Sequence, residues 1–454
     1  MKKSYEINMC EGAIFPKLCI FAFPLILSSV LQLLFNAADV IVVGRFSGSQ
    51  ALAAVGATTS LIQLIVNLFL GISIGTNVIT ARYYGAQDTE SVHKTVHTSI
   101  LVAAIGGFFM IFIGVLASRP ILSAMGTPAD VLNQSVLYMS IYFIGMPAFM
   151  VYNFGAAILR AIGDTRRPLI YLTISGILNI LLNLFFVILM KLDVAGVALA
   201  TIISQYLSAV LILRCLSQSD GIYRLDFKKL HIYKEKLAEM LRIGIAAGFQ
   251  GVVFNFSNVL IQSSVNSFGS LVMAGNTASN NIEGFVYVSM NSITQTALSF
   301  TSQNYGAGRY DRIDKILLRC LAFVSAVGLI LGGGAWLLGQ PLLSLYTSDP
   351  QVVTYGIFRL SIICTLYFIC GIMDVFTGTI RGLGYSVLPM VVSLLGACAF
   401  RIIWIFTVFR MYHSTFALYI SYPISWLLTA FVHLCCYLII RRKIFPGKDK
   451  SLLI

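Results

Sequence analysis

The fold class this sequence predicts is an all-α polytopic membrane protein. Twelve transmembrane helices are expected, in two six-helix bundles related by a pseudo-two-fold axis along the membrane normal. Three observations predict it: an apolar composition, twelve apolar runs of membrane length, and a sequence that contains itself twice. Of 454 residues, 58% are hydrophobic and 11% charged, with a mean hydropathy of +0.86. A water-soluble chain cannot hide that much apolar surface, so the bilayer is the solvent. The internal repeat has a fixed offset of 221 residues. Thr80, Tyr84, Gly85 and Ala86 recur as Thr301, Tyr305, Gly306 and Ala307; Pro120, Leu122 and Ser123 recur as Pro341, Leu343 and Ser344. Arg160, Gly163 and Pro168 recur as Arg381, Gly384 and Pro389. One offset across three separated clusters marks two homologous halves, expected to enclose a shared cavity.

The apolar runs lie near residues 15–43, 51–79, 92–117, 131–158, 168–190, 194–216, 237–266, 271–301, 314–338, 351–379, 386–408 and 414–440. Each is about 20–30 residues, enough to cross the hydrocarbon core. The one long polar interruption, Ser217 to Glu239, carries Arg224, Lys228, Lys229, Lys234 and Lys236. It divides the chain into an N-terminal half (1–216), a cytoplasmic linker (217–236) and a C-terminal half (237–454). Six spans per half is an even number, so both halves enter the membrane in the same direction.

Charge sets the orientation. Of the 31 Lys and Arg, 25 fall on the side of the N-terminus, the linker and Arg441-Arg442-Lys443. Only Arg45, Arg119, Lys191 and Arg410 fall opposite, while Arg359 and Arg401 sit within spans. The positive-inside rule therefore puts both termini in the cytoplasm of a multi-pass cell-membrane protein. The net charge of +13 is accounted for by topology, and no nucleic-acid partner is expected. The chain opens Met1-Lys2-Lys3 and reaches its first apolar run near Phe15 without a small-residue cleavage site, so that run is expected to stay as a span.

No catalytic centre is indicated. The nine cysteines lack metal or redox spacing, and Cys364, Cys370 and Cys398 lie in apolar runs, as small core residues do. His93 and His97 are spaced to share a helix face, but with no third ligand beside them they read as an exposed helix start. No metal site and no cofactor is expected. His-Glu-x-x-His, Gly-x-Ser-x-Gly and paired histidines at a membrane edge are all missing, which argues against a polytopic membrane enzyme.

Ionisable groups inside spans are costly and point to function. Five stand out: Asp39, Glu283, Arg359, Asp374 and Arg401. Arg359 comes early in its span and is expected to snorkel outward. Asp39 closes a stripe with Ser29, Gln32 and Asn36 on one helical face. Fifteen residues before it, roughly 22 Å along the helix, Pro24 must interrupt the hydrogen-bond ladder and offers a bend. In a poorly solvated pocket such a carboxylate can take up and release a proton; the bland alternative is a structural hydrogen bond to another helix. The equivalent span of the second half carries Asn255, Asn258, Gln262 and Asn266, and a two-residue register shift sets Asn258 opposite Asp39 in the repeat. The carboxylate was not duplicated. Span eight has the longest polar face: Asn276, Asn280, Glu283, Tyr287, Asn291 and Thr294, read as lining water. Asp374 and Arg401 lie in the same half, and a structural ion pair between Arg401 and either acid is an open alternative.

These residues resemble the multidrug and toxic compound extrusion (MATE) family over essentially the whole chain. The resemblance rests on Asn36-Ala37-Ala38-Asp39 followed by Val43-Gly44-Arg45, on Tyr84-Gly85-Ala86 with Tyr305-Gly306-Ala307, and on Leu159-Arg160-Ala161-Ile162-Gly163-Asp164-Thr165-Arg166. It implies export of bulky, often cationic organic compounds in exchange for inward H⁺ or Na⁺. In one branch the coupling site joins the first-span Asp to an Asn-x-x-x-Asp pair in span five and a Thr in span six. Pro24, Asp39, Asn179 and Thr201 match it, while Asn183 stands where that branch has Asp. One carboxylate then remains, which favours H⁺ over Na⁺, although Asn oxygens can still ligate Na⁺. In another branch an Asp precedes the span-ten Arg-Gly pair; Asp374 precedes Arg381-Gly382 about one helical turn closer than that pattern.

The resemblance thus implies an antiporter working by alternating access, with small organic substrates and the bilayer as its partners and a monomer as its state. Asp39 would couple the ion, with Gln32, Asn36, Asn179, Asn183 and Thr201 around it and Pro24 as the bend. Asn258, Asn280, Glu283, Tyr287, Asn291, Asp374 and Arg401 would line the substrate path. A lipid-linked sugar flippase of the same superfamily is the alternative, though it would favour a strongly cationic cavity. A family member kept as a binding or sensor protein is a third.

Overall fold

A computed structural model describes residues 5–445, the side chains of Ser49 and Ser60 excepted. The Met1-Lys2-Lys3 opening lies outside the described residues. Twelve helical spans follow one another: α1 (Ile14–Phe46), α2 (Gly48–Gly85), α3 (Thr89–Ala124), α4 (Ala129–Ile144 with Met146–Ala161), α5 (Arg166–Leu189) and α6 (Asp193–Ser217). After the linker come α7 (Lys234–Asn266), α8 (Ser270–Gly306), α9 (Tyr310–Leu337), α10 (Pro350–Ile363 with Tyr367–Gly382), α11 (Val387–Phe409) and α12 (Thr415–Ile444). Among the described residues nine helices are long and apolar enough to cross a membrane singly, and α4 and α10 qualify as bent pairs. Helix α8 completes the set with 37 residues, and it is the span that carries the long polar face. Local chemistry sets several starts. Asp88 accepts from Ser91 N ahead of α3, a bond that holds its carboxyl below the usual range, and Ser414 accepts from Ala417 N ahead of α12.

The duplication is written into the backbone. Helix α4 bends by 45° at Gly145 and α10 by 47° between Ile363 and Tyr367, at the repeat offset. Pro147, which has no N–H to give, follows the first bend. Gly163 and Gly384, repeat partners, both take positive φ, of 97° and 95°. At Gly107 a Cβ would come within 2.3 Å of Pro147, and at its partner Gly328 within 2.8 Å of Phe368, so α3 meets α4 as α9 meets α10. Widened helical turns close α5 at Leu184–Leu189 and α11 at Ile405–Phe409, again one offset apart.

The described chain forms two compact units: residues 5–8 with Phe23–Gly248, and Met9–Ala22 with residues 249–445. These cuts differ from the boundaries that polarity suggests, for packing reasons. The N-terminal part of α7 belongs to the first unit because two glycine pairs mesh there. A Cβ at Gly71 would fall 2.2 Å from Gly248 N, and one at Gly75 would fall 2.2 Å from Met240 O. Small residues four apart on both helices bring two backbones together, the usual route to tight helix contact in lipid. In the second unit, the start of α1 packs on α8 through an edge-to-face pair of Phe21 and Phe300, 5.4 Å apart.

The linker also belongs to the first unit. Tyr223 is buried and donates to Glu6 Oε1 at 2.6 Å; burial and that carboxylate push its hydroxyl up to about 12. Tyr233 N donates to Thr98 Oγ1, and Asp226 N donates to His97 Nε2 at 3.0 Å. The reading of His93 and His97 as an exposed helix start is corrected here. His97 is fully buried, stacked on His93 and covered by the linker backbone.

Candidate functional site

In the first unit the site is built where α1, α5 and α6 meet. Gly176, Asn179 and Asn183 lie on one face of α5, and Gly176 receives the ring of Phe35 from α1. With Phe35 seated there, Asp39 stands one turn further along α1, opposite the two asparagines. Asn183 Nδ2 donates to Asp39 Oδ1 and also to Asn179 Oδ1 at 3.3 Å. Asn179 Nδ2 in turn donates to Thr201 Oγ1 on α6 at 3.4 Å. Asn179 and Asn183 are buried, and Asn183 Oδ1 has no partner among the described residues. The carboxylate thus sits among neutral polar groups, in reach of the Thr201 hydroxyl as well as Asn183, with a free amide acceptor beside it.

Other sequence candidates are placed differently. Gln32 and Asn36 are exposed on α1 and make no hydrogen bond to Asp39 among the described contacts. Pro24 is buried inside a helix that runs on to Phe46, and its carbonyl accepts the Ser28 hydroxyl at 2.8 Å. Two residues were missed in the sequence. Tyr138 and Tyr142 on α4, with rings 6.2 Å apart, lie close enough to Asp39 to feel its charge. The available signal is a pair of tyrosines spaced i, i+4 within the fourth span.

The Gly176 notch gives a direct test of this assembly. A Cβ there would sit 1.9 Å from the Phe35 ring, so Gly176→Ala is expected to destabilise the protein by about 1–3 kcal/mol through overpacking. Phe35→Leu in the same chain should recover most of the loss in a thermal-unfolding assay. A Gly176→Ala protein melting with the wild type would contradict the notch.

In the second unit the ionisable residues divide into separate groups. Arg359 does not snorkel, which corrects the sequence reading. It is 3% exposed, and its Nη2 pairs with Glu283 Oε2 at 2.6 Å and with Asn280 Oδ1. A carboxylate two helices away in sequence is a better partner than a distant headgroup. Asp374 is within electrostatic range of Arg381 and Tyr287, and Arg381 Nη2 donates to Gln250 Oε1 at 2.6 Å. Arg401 is paired with neither acid among the described residues; its Nε donates to Ser425 Oγ at 2.8 Å. Along α8, Asn280 and Tyr287 are exposed and Glu283 and Asn291 half-buried, whereas Asn276 and Thr294 are buried. Asn258 on α7 is exposed.

Twelve spans in two homologous units, with the Asp39 carboxylate inside the first and Glu283, Asp374 and buried guanidiniums inside the second, define a membrane transporter of duplicated-bundle type. The MatE family profile matches residues 24–185 and again 246–407, once per half, and the chain belongs to that family of transporters, which are not enzymes. The chain is 27% identical to the probable multidrug resistance protein YoeA of Bacillus subtilis (strain 168), over 85% of this chain and 84% of that one. It is 23% identical to the probable multidrug resistance protein NorM of Thermotoga maritima, over 84% and 82% respectively. The outward-facing structure of a multidrug resistance MATE family transporter matches its fold with a TM-score of 0.91 at 19% identity, covering 98% of this chain and 99% of that one.

Proposed function

We propose that this chain is a secondary active antiporter of the cell membrane. It exports bulky organic compounds, cations among them, in exchange for inward H⁺ by alternating access, as a monomer with both termini in the cytoplasm. The names of its relatives support export of drug-like compounds. The observation that carries the coupling is the lone Asp39 carboxylate held by Asn183, with Asn179 and Thr201 behind it. Ionised, Asp39 is stabilised by the Asn183 N–H. Protonated, it becomes a donor, and Asn183 Oδ1 is an acceptor without a partner in place to receive it. Both protonation states therefore have a hydrogen bond available, which a reversible proton carrier requires. A Na⁺ ion would find one carboxylate and amide oxygens, a weaker charge match.

Efflux of a fluorescent cation from proteoliposomes, under separately imposed pH and Na⁺ gradients, tests the reading. A pH gradient alone is expected to drive efflux. Efflux driven by Na⁺ alone would overturn the proton assignment.

A further inference from the structure

Arg401 is a buried cation with no ion-pair partner among the described residues. It is 4% exposed, in the middle of α11. Its guanidinium lies over Tyr422 at 4.2 Å and Trp426 at 5.6 Å, both on α12. Its Nη2 is buried with no hydrogen-bond partner among the described residues. Arg359 repeats the arrangement nearby: it lies over Tyr419 at 5.9 Å, and its Nε and Nη1 are also buried without partners. Tyr419 and Tyr422 are three residues apart on α12, a rise of about 4.5 Å, so one helix supplies a ring to each guanidinium. Arg359 is paired with Glu283, whereas Arg401 has neither Glu283 nor Asp374 as an ion-pair partner among the described residues.

The rings around these arginines form a series. Tyr422 is 5.9 Å from Trp426, Trp426 is 5.2 Å from Tyr367, and Tyr367 stacks on Tyr287 at 6.4 Å. Tyr287 ends the series 40% exposed, on the polar face of α8. Desolvating a guanidinium is costly, and one serine hydroxyl with two ring faces offsets only part of it. An anion would complete the balance, and arginine is the side chain best shaped to hold a carboxylate or a phosphate. A cation would gain little here, because Glu283 is already engaged by Arg359.

We propose that the second unit carries a binding site for an anionic group, a carboxylate or a phosphate, borne on a planar aromatic compound. Arg401 Nη2 and the unpartnered N–H groups of Arg359 hold the anion. The ring series from Tyr422 to Tyr287 holds the aromatic part. That the bound compound is also transported rests on the antiporter reading; the site itself does not.

Equilibrium binding to the purified full chain in phosphatidylcholine nanodiscs tests it, with 1-pyrenebutyrate, its methyl ester and the aliphatic anion decanoate as probes. Energy transfer from protein tryptophan and tyrosine to pyrene reports occupancy. The carboxylate is expected to bind about tenfold tighter than the ester, the worth of one charge-assisted hydrogen bond. Arg401→Gln should erase that preference and Arg401→Lys should keep part of it. Glu283→Gln, by freeing Arg359, should tighten carboxylate binding and leave the ester unchanged. Equal binding of acid and ester, or a preference untouched by Arg401→Gln, would overturn the site. Decanoate competing as well as pyrenebutyrate would overturn its aromatic half and point to lipid carboxylates. If Arg401→Gln does not fold, the wild-type probe series and Glu283→Gln still decide. Carboxylate binding without gradient-driven flux of any probe would sink the antiporter reading alone. Cation efflux without carboxylate preference would sink only the anion site.

Discussion

Asp39→Asn is expected to lower gradient-driven export about 100-fold, the upper end of what one coupling free energy supplies, while leaving the folded protein intact. The reason lies in the geometry. Asparagine matches aspartate in shape and can still accept the Asn183 N–H, so the contact between α1 and α5 survives. What is lost is the capacity to change charge, which the exposed Gln32 and Asn36 cannot replace. The purified variant should elute and melt like the wild type, and fluorescent-cation efflux in proteoliposomes should fall to leak. Coupled efflux at the wild-type rate would move the coupling away from Asp39. Asn183→Asp is the informative companion. It restores a second carboxylate beside Asp39 and should raise the Na⁺ dependence of whatever efflux remains.

The scaffold was legible in the sequence because a membrane fold is dictated by length and polarity. All twelve apolar runs became helices, eleven of them apolar enough to cross a membrane singly or as a bent pair among the described residues, and the 221-residue offset reappears in the paired bends of α4 and α10 and in the positive-φ pair Gly163 and Gly384. Periodicity also grouped Asn276 to Thr294 on one face of α8, yet only the middle of that face is open. Faces can be read from spacing; their neighbours cannot. Nothing in the α1 stripe says that Asp39 meets Asn183, 144 positions away, and only resemblance to a known family brought them together.

The misreadings share a cause. Arg359 was placed by its depth in a span, which ignores that Glu283 offers a close counter-charge from another helix. His97 was placed by its closeness to a helix start, which ignores that a polar linker can fold back and bury it through Asp226. Polarity marks the linker between the two homologous halves, while the packing of α7 on α2 follows glycines. Gly71, Gly75, Gly244 and Gly248 carry the spacing of a close helix pair, a signal present in the sequence.

That glycine pair supports the largest expected effect on stability. Gly71→Ala with Gly75→Ala should cost about 4 kcal/mol, near 2 kcal/mol for each overpacked position. The added methyl groups would meet backbone atoms, Gly248 N at 2.2 Å and Met240 O at 2.2 Å, and backbone cannot rotate away as a side chain can. Relief requires α2 and the start of α7 to move apart. That separation would also strip contact from Gly244, where Ile72 Cα lies only 2.4 Å from a built Cβ position, and from Thr76, whose hydroxyl reaches Met240 Sδ. In detergent the melting temperature should fall by about 10 °C, followed by intrinsic fluorescence. Gly56→Ala on the same helix is the control. Gly56 is exposed and has no atom within 4 Å of an added Cβ, so the change should be neutral or stabilise by about 0.5 kcal/mol. A double variant that melts with the wild type would show that the two helices do not need glycine to meet. A fall shared equally by Gly56→Ala would trace the loss to helix α2 itself rather than to its contact with α7.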